Sequence, residues 1–203
     1  MLDRTTHTIE GTTALQFDLV SQNALLRERG FTLVPTDQMS ELHAFADTVI
    51  PGDIASISTM TRVQARTGGS LYLKWDEGRP VALVAGIPLT ASGETALRNG
   101  QFGYDDHRAD WMARPGETCP AVLIWGLAGD RPADRLGAIR AFLDCWAGTY
   151  AGKRIYSRAR SPEGQSIMRR LGFRPAQDAI EGLSVRHTPP PLLARRASKE
   201  LVS

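Results

Sequence analysis

The sequence predicts an α/β domain, and three observations lead there. Apolar residues recur at helical spacing up to Pro51, the period switches to two across Ser70–Trp75, and the apolar run Ala121–Ala128 is held between Pro120 and Gly129. That run is too short for most helices and reads as a central strand. The chain of 203 residues, 42% of them hydrophobic, is long enough to bury a core without disulfides or metals.

In chain order, residues 1–12 are polar and threonine-rich and are expected to be loosely held. Leu15, Leu19, Ala24, Leu25 and Leu26 set a helix over 13–29, which Gly30 stops in the usual C-terminal glycine position. Phe31–Val34 reads as a short strand closed by Pro35. Thr36 or Asp37 then caps a helix, with Glu41 as the back-reaching carboxylate, and Pro51-Gly52 breaks it. A further short helix is expected over 54–67, ended by Gly68-Gly69.

Residues 70–75, a turn at 76–80 and the apolar segment 81–89 form an antiparallel hairpin. Residues 90–118 are polar and glycine-rich without clear period, the pattern of a functional lid or a mobile insertion. After the strand at 121–128, Leu136, Ile139, Phe142, Leu143 and Trp146 mark an amphipathic helix over 134–147. A strand follows at 154–159, then a helix that Ser161-Pro162 starts and Gly172 ends. Two last strands fit at 173–175 and 182–187, and residues 188–203 read as a flexible proline-rich, basic tail. The division is therefore 1–30, an extension carrying a helix; 31–187, the main domain; and 188–203, the tail.

Composition excludes several classes. Lys and Arg number 24 against 22 Asp and Glu, so the bulk charge gives no case for nucleic acid. No apolar run approaches the roughly 20 residues of a membrane span. The N-terminal residues lack a secretory signal pattern, so a cytoplasmic location is expected, with no membrane partner. Cys119 and Cys145 cannot form a metal cage, and no metal is expected; Cys145 beside Trp146 reads as core. Charge is segregated: residues 153–174 hold seven basic side chains against Glu163 alone, whereas residues 1–53 hold three against eight carboxylates. The basic unit suits a phosphorylated ligand or an acidic carrier protein, or serves only as a dipolar surface that aids solubility or self-association.

The order of elements, and above all the segment 154–175 with its Leu171-Gly172-Phe173 ending, resembles the GNAT superfamily of acyl-CoA N-acyltransferases. The hairpin around Gly78-Arg79-Pro80 and the strand and helix after it are similar too, so the resemblance spans about residues 31–187. It implies a mixed, largely antiparallel central sheet flanked by helices, in which the fourth strand splays from the fifth at a bulge. It also implies acetyl-CoA or another acyl-CoA as co-substrate, an amine acceptor, and a domain that often forms homodimers.

Carried onto this sequence, the pantetheine arm would lie along Trp125, Gly126 and Leu127, with the Leu127 N–H as donor to the thioester oxygen. Gly126 either admits a second backbone or relieves crowding in a buried strand. The pyrophosphate loop maps onto Arg131-Pro-Ala-Asp134-Arg135-Leu136, where Asp134 and Leu136 replace the two small residues of the family. Arg131 and Arg135 are the candidate phosphate clamps, unless Asp134 caps the helix and both arginines are merely solvated. The tyrosine that protonates the leaving thiolate in many members is Met168 here, and Ser157, or a water it holds, is the substitute. Glu117, just before the fourth strand, is the first candidate for general base, with Asp105, Asp106 and His107 as rivals. His43 beside Leu42 and Phe45 reads as packed or solvated. Three functions remain in view: transfer from acyl-CoA to an amine, transfer from an acyl carrier protein to a lysine as in the toxin-activating acyltransferases, and a GNAT-like protein that only binds.

Overall fold

A computed structural model describes residues 16–103, 105 and 107–187. The expectations for residues 1–12 and for the tail lie outside these residues. One seven-stranded sheet in the order β1-β2-β3-β4-β5-β7-β6 organises the chain. Its strands are β1 (Phe31–Leu33), β2 (Leu71–Asp76), β3 (Arg79–Leu89), β4 (Ala121–Gly129), β5 (Arg154–Ser157), β6 (Arg174–Pro175) and β7 (Ser184–Arg186). All neighbours are antiparallel except β4 and β5. The helices are α1 (Leu19–Glu28), α2 (Met39–Val49), α3 (Ile57–Thr67), α4 (Ala91–Arg98), α5 (Pro132–Ala147) and α6 (Pro162–Arg170). This is the mixed, largely antiparallel sheet flanked by helices that the sequence implied.

The two faces follow from strand alternation. Tyr72, Ala82 and Val84 turn toward α1 and α5, where Leu26, Phe142 and Trp146 bury their side chains. Leu71, Leu73, Leu83 and Ala85 turn to the opposite face and pack on Leu42, Phe45 and Met60 from α2 and α3. Phe17 and Leu26 are 1% exposed, so the first helix belongs to the same core as the sheet. Both cysteines are free and buried there, and burial pushes each thiol up to about 12, which makes them packing residues rather than nucleophiles.

Several boundaries differ from the sequence expectation for local reasons. α1 starts at Leu19, because the Asp18 carboxylate accepts from the Ser21 N–H and hydroxyl. The segment at Thr36–Gln38 is a 3₁₀ turn, and α2 follows it from Met39 without a side-chain cap, so the capping box with Glu41 does not form. α3 starts at Ile57, where Ser56 caps it, and ends on Gly68 at φ +68°.

The described residues of 90–118 pack against the domain rather than forming a loose insertion. They hold α4, capped by Thr90 (Thr90 Oγ1 accepts from the Gly93 N–H), and a 3₁₀ turn at Ala109–Trp111. Ala96, Leu97, Phe102, Met112 and Ala113 are buried. Glu94 on α4 accepts from Arg154 and, at 2.7 Å, from the Tyr156 hydroxyl, which anchors the segment to β5. Among the described residues, no helix is long and apolar enough to cross a membrane.

Candidate functional site

The site begins where β4 and β5 part. Their parallel pairing runs from Ala121 opposite Arg154 to Ile124 opposite Ser157 and then stops, while β4 continues to Gly129. On its other side β4 stays paired with β3, Ala85 facing Gly126 and Gly86 facing Ile124, so Trp125 is the extra residue of a bulge. One inserted residue reverses the alternation of the strand. Before the bulge, Val122 and Ile124 pack toward α5; after it, Ala128 packs toward α2 and an added Cβ on Gly126 would meet Leu83 and Ile50 at 3.2 and 3.4 Å. Gly126 therefore relieves crowding under α2. Accessibility rises over Ile124–Leu127, flanked by buried residues on both sides.

A cleft of about 330 Å³ lies against this free edge. Trp125, Gly126 and Leu127 line it together with Arg135, Ser157 and Met168, so the structure brings most of the expected site residues into one place. Ser157 is buried at the point of divergence, and Met168 on α6, whose thioether has no proton to donate, lines the cleft. The far wall comes from α2, from residues 50–55 and from Met60, Leu97, Phe102 and His107. Little in the sequence marked α2 as a cleft wall, beyond the small residue Ala46 on its otherwise bulky buried face.

The candidate bases separate clearly. Glu117 does not line the cleft: its carboxylate accepts from Arg66 at 3.2 Å and from the Arg114 N–H at 2.9 Å, which folds the loop before β4. Asp105 accepts from the Ser56 hydroxyl at 2.8 Å and N–H at 3.0 Å, and these bonds hold its carboxyl below the ordinary value. It reinforces the cap of α3. Asp106 lies outside the described residues. Of the three described candidates His107 is the one that lines the cleft, 3% exposed, with its ring 4.3 Å from Phe102 and edge-on to Trp125 at 5.4 Å. The ring thus sits beside the bulge.

The phosphate end departs from expectation. α5 begins at Pro132 with Arg131 as its cap residue, so Asp134 is inside the first turn and not the cap. Arg131 donates to Asp134 at 2.7 Å and to Asp76 at 3.3 Å. The Arg131 guanidinium holds the Asp134 carboxyl below its usual range. Arg131 and Leu136 do not line the cleft, and Leu136 is exposed. Arg135 does line it, and there it donates to both oxygens of Glu163. Gly129 has no alternative, because a Cβ there would come within 2.4 Å of the Arg135 nitrogen.

The loop from β5 to α6 closes the opposite rim. Arg160 donates to the Asp53 carbonyl at 3.0 Å, and Ser161 caps α6 through the Gly164 N–H. The basic unit seen in the sequence is partly internal: Lys153 is buried and donates to the Thr149 carbonyl, and Arg154 serves Glu94. Arg158, Arg169, Arg170 and Arg174 remain on the surface. Among the described residues, no three His, Cys, Asp or Glu side chains converge on a metal-sized site.

No family model matches the chain, and no curated protein matches it in sequence. Among solved structures, the chain is similar to a GphF GNAT-like decarboxylase in complex with isobutyryl-CoA, at 14% sequence identity and a TM-score of 0.47, over 70% of this chain and 72% of that one.

Proposed function

We propose that the protein is an N-acyltransferase that moves an acyl group from an acyl-CoA thioester to an amine. The observation that carries this reading is the free outer edge of β4 beyond Ile124, which forms a wall of the cleft. Unpaired strand amides and carbonyls bind an extended amide chain as an added strand, and a pantetheine arm is such a chain. The Leu127 N–H is the donor to the thioester oxygen as charge develops there. His107, across from Trp125, takes the proton of the attacking amine. The amine nitrogen bonds to the acyl carbon, the C–S bond breaks, and the thiolate leaves with its electron pair. Met168 donates no proton to it, which a thiol with a pKa near ~8.5 tolerates.

The test is free-thiol release from acetyl-, butyryl- and octanoyl-CoA with a panel of amines. His107→Ala is expected to lower kcat by about 10²–10⁴-fold. Glu117→Ala, outside the cleft, is expected to stay near wild type. Equal activity of wild type and His107→Ala would remove the histidine from the mechanism.

One observation favours a second donor. Arg131 and Arg135, the two cations at the start of α5, are both engaged by carboxylates, which weakens the case for a pyrophosphate there. An acyl group on a carrier protein needs no such site, and exposed Arg158, Arg169, Arg170 and Arg174 suit an acidic carrier. Faster turnover with acyl carrier protein than with acyl-CoA would select this alternative.

A further inference from the structure

The part of the cleft on the α2 side of the sheet forms an apolar lobe, and its chemistry differs from that of the rim. From the sheet it is lined by Leu71, Leu83, Ala85, Ala128 and the bare Gly126, and Ala46 and Ala55 belong to the same apolar cluster. Leu42, Val49, Ile54 and Met60 close its sides. The charged residues of the cleft stand at its rim: Asp53 is exposed and accepts Arg160 through its carbonyl, and Glu163 is tied to Arg135. A cationic amine entering the lobe would therefore meet no carboxylate to receive it, whereas a hydrocarbon chain meets only apolar walls. His107 stands near the bulge, where the polar edge of β4 begins.

Resting on the thioester-donor reading, we infer that this lobe holds the acyl chain, and that the donor carries a medium-chain hydrocarbon rather than an acetyl group. The thioester then lies at the bulge, with its chain running under α2 and its pantetheine along the outer edge of β4. The acetyl group would leave the lobe empty and forgo its contacts.

Binding of N-acetylcysteamine thioesters with acetyl, butyryl, hexanoyl, octanoyl and decanoyl chains, measured by calorimetry, isolates the lobe from the nucleotide site. CoA alone is titrated in parallel. The dissociation constant is expected to fall by about fourfold per added methylene until the lobe is full. Ala46→Leu and Ala85→Leu, which fill the lobe from opposite walls, are expected to flatten that slope. A flat slope in the wild type together with CoA binding would overturn the inference and leave the donor reading standing. A flat slope with tightening by octylamine instead would assign the lobe to the acceptor and overturn it as well. Failure of CoA and of every thioester to bind would overturn both readings. Melting curves of the two variants show whether they fold, and either folded variant alone suffices.

Discussion

The Arg135 guanidinium lies 2.8 and 2.7 Å from the two carboxylate oxygens of Glu163, joining the first turn of α5 to the first turn of α6 at the rim of the cleft. A phosphate reaching the start of α5 must replace Glu163 as the partner of Arg135. Glu163→Gln is therefore expected to tighten CoA binding by about two- to fivefold, the scale of an exposed ion pair at ~0.5–1 kcal/mol. Calorimetric titration of both proteins with CoA checks this, and weaker binding by the variant would show that Glu163 does not compete.

Two glycines, one at the end of β4 and one inside α5, should respond oppositely to alanine. At Gly129 a Cβ would press on the backbone of Asp134 and Arg135 at 2.7 and 2.4 Å, so Gly129→Ala is expected to cost about 2 kcal/mol or more. At Gly137, inside α5 with open space around it, the same change is expected to stabilise the fold by about 0.5–1 kcal/mol. Urea denaturation reads both. A neutral Gly129→Ala would mean that α5 can move away from the end of β4.

A part-buried and an exposed ion pair supply a second contrast. Glu94, 8% exposed in its side chain, accepts from Arg154 and from the Tyr156 hydroxyl, whose pKa burial pushes up to about 12. Glu94→Ala leaves the Tyr156 hydroxyl and the half-exposed Arg154 without their acceptor and is expected to cost about 1–3 kcal/mol. Asp110→Ala breaks the Arg108 pair, in which both side chains are more than half exposed, and is expected to change stability by less than ~0.5 kcal/mol. Equal losses at the two positions would contradict the anchoring role of Glu94.

Acid stability follows from carboxylates held below their ordinary values. Asp18 is lowered first by the Ser21 hydroxyl, Asp105 by the Ser56 N–H and Asp134 by the Arg131 guanidinium. Each folded-state pKa lies below the unfolded one. The stabilisation is complete above the unfolded Asp value of about 3.9 and is lost as pH falls through the folded values. Asp18→Asn keeps an acceptor for the Ser21 N–H and removes the charge, so its urea midpoint is expected to decline less steeply below that pH than the wild type's. Superimposable acid limbs would exclude Asp18 as a contributor.

Much of the fold was legible because local signals agreed. Gly30, Gly68 and Gly172 all sit at positive φ after helices, and Ser161 caps α6 as its position before Pro162 suggested. The apolar run after Pro120 became β4, since a strand buried on both faces needs no alternation. α4 escaped notice because its residues are mostly Ala, Ser, Gly and Thr, and Gly93 lowers helix propensity. The structure supplies the reason for that glycine: a Cβ there would overlap the Trp111 carbonyl oxygen.

The stretch of β4 that lines the cleft was legible from chain order, since the strand itself was. The site was illegible where distant segments meet. Glu117 lies near β4 in sequence, yet Arg66 from α3 holds it away from the cleft. His107 packs against Phe102 and Trp125, contacts that no spacing encodes.

The most direct test of the central claim is amide hydrogen exchange along β4 with and without saturating octanoyl-CoA. Amides of residues 125–128 that do not donate to β3 lie on the unpaired edge and are expected to exchange quickly in the free protein. With the thioester bound as an added strand, they become protected while Ala121–Ile124, already paired on both sides, change little. Protection confined to 125–128 and the cleft rim is the predicted result. Unchanged exchange at 125–128 under saturation would contradict it.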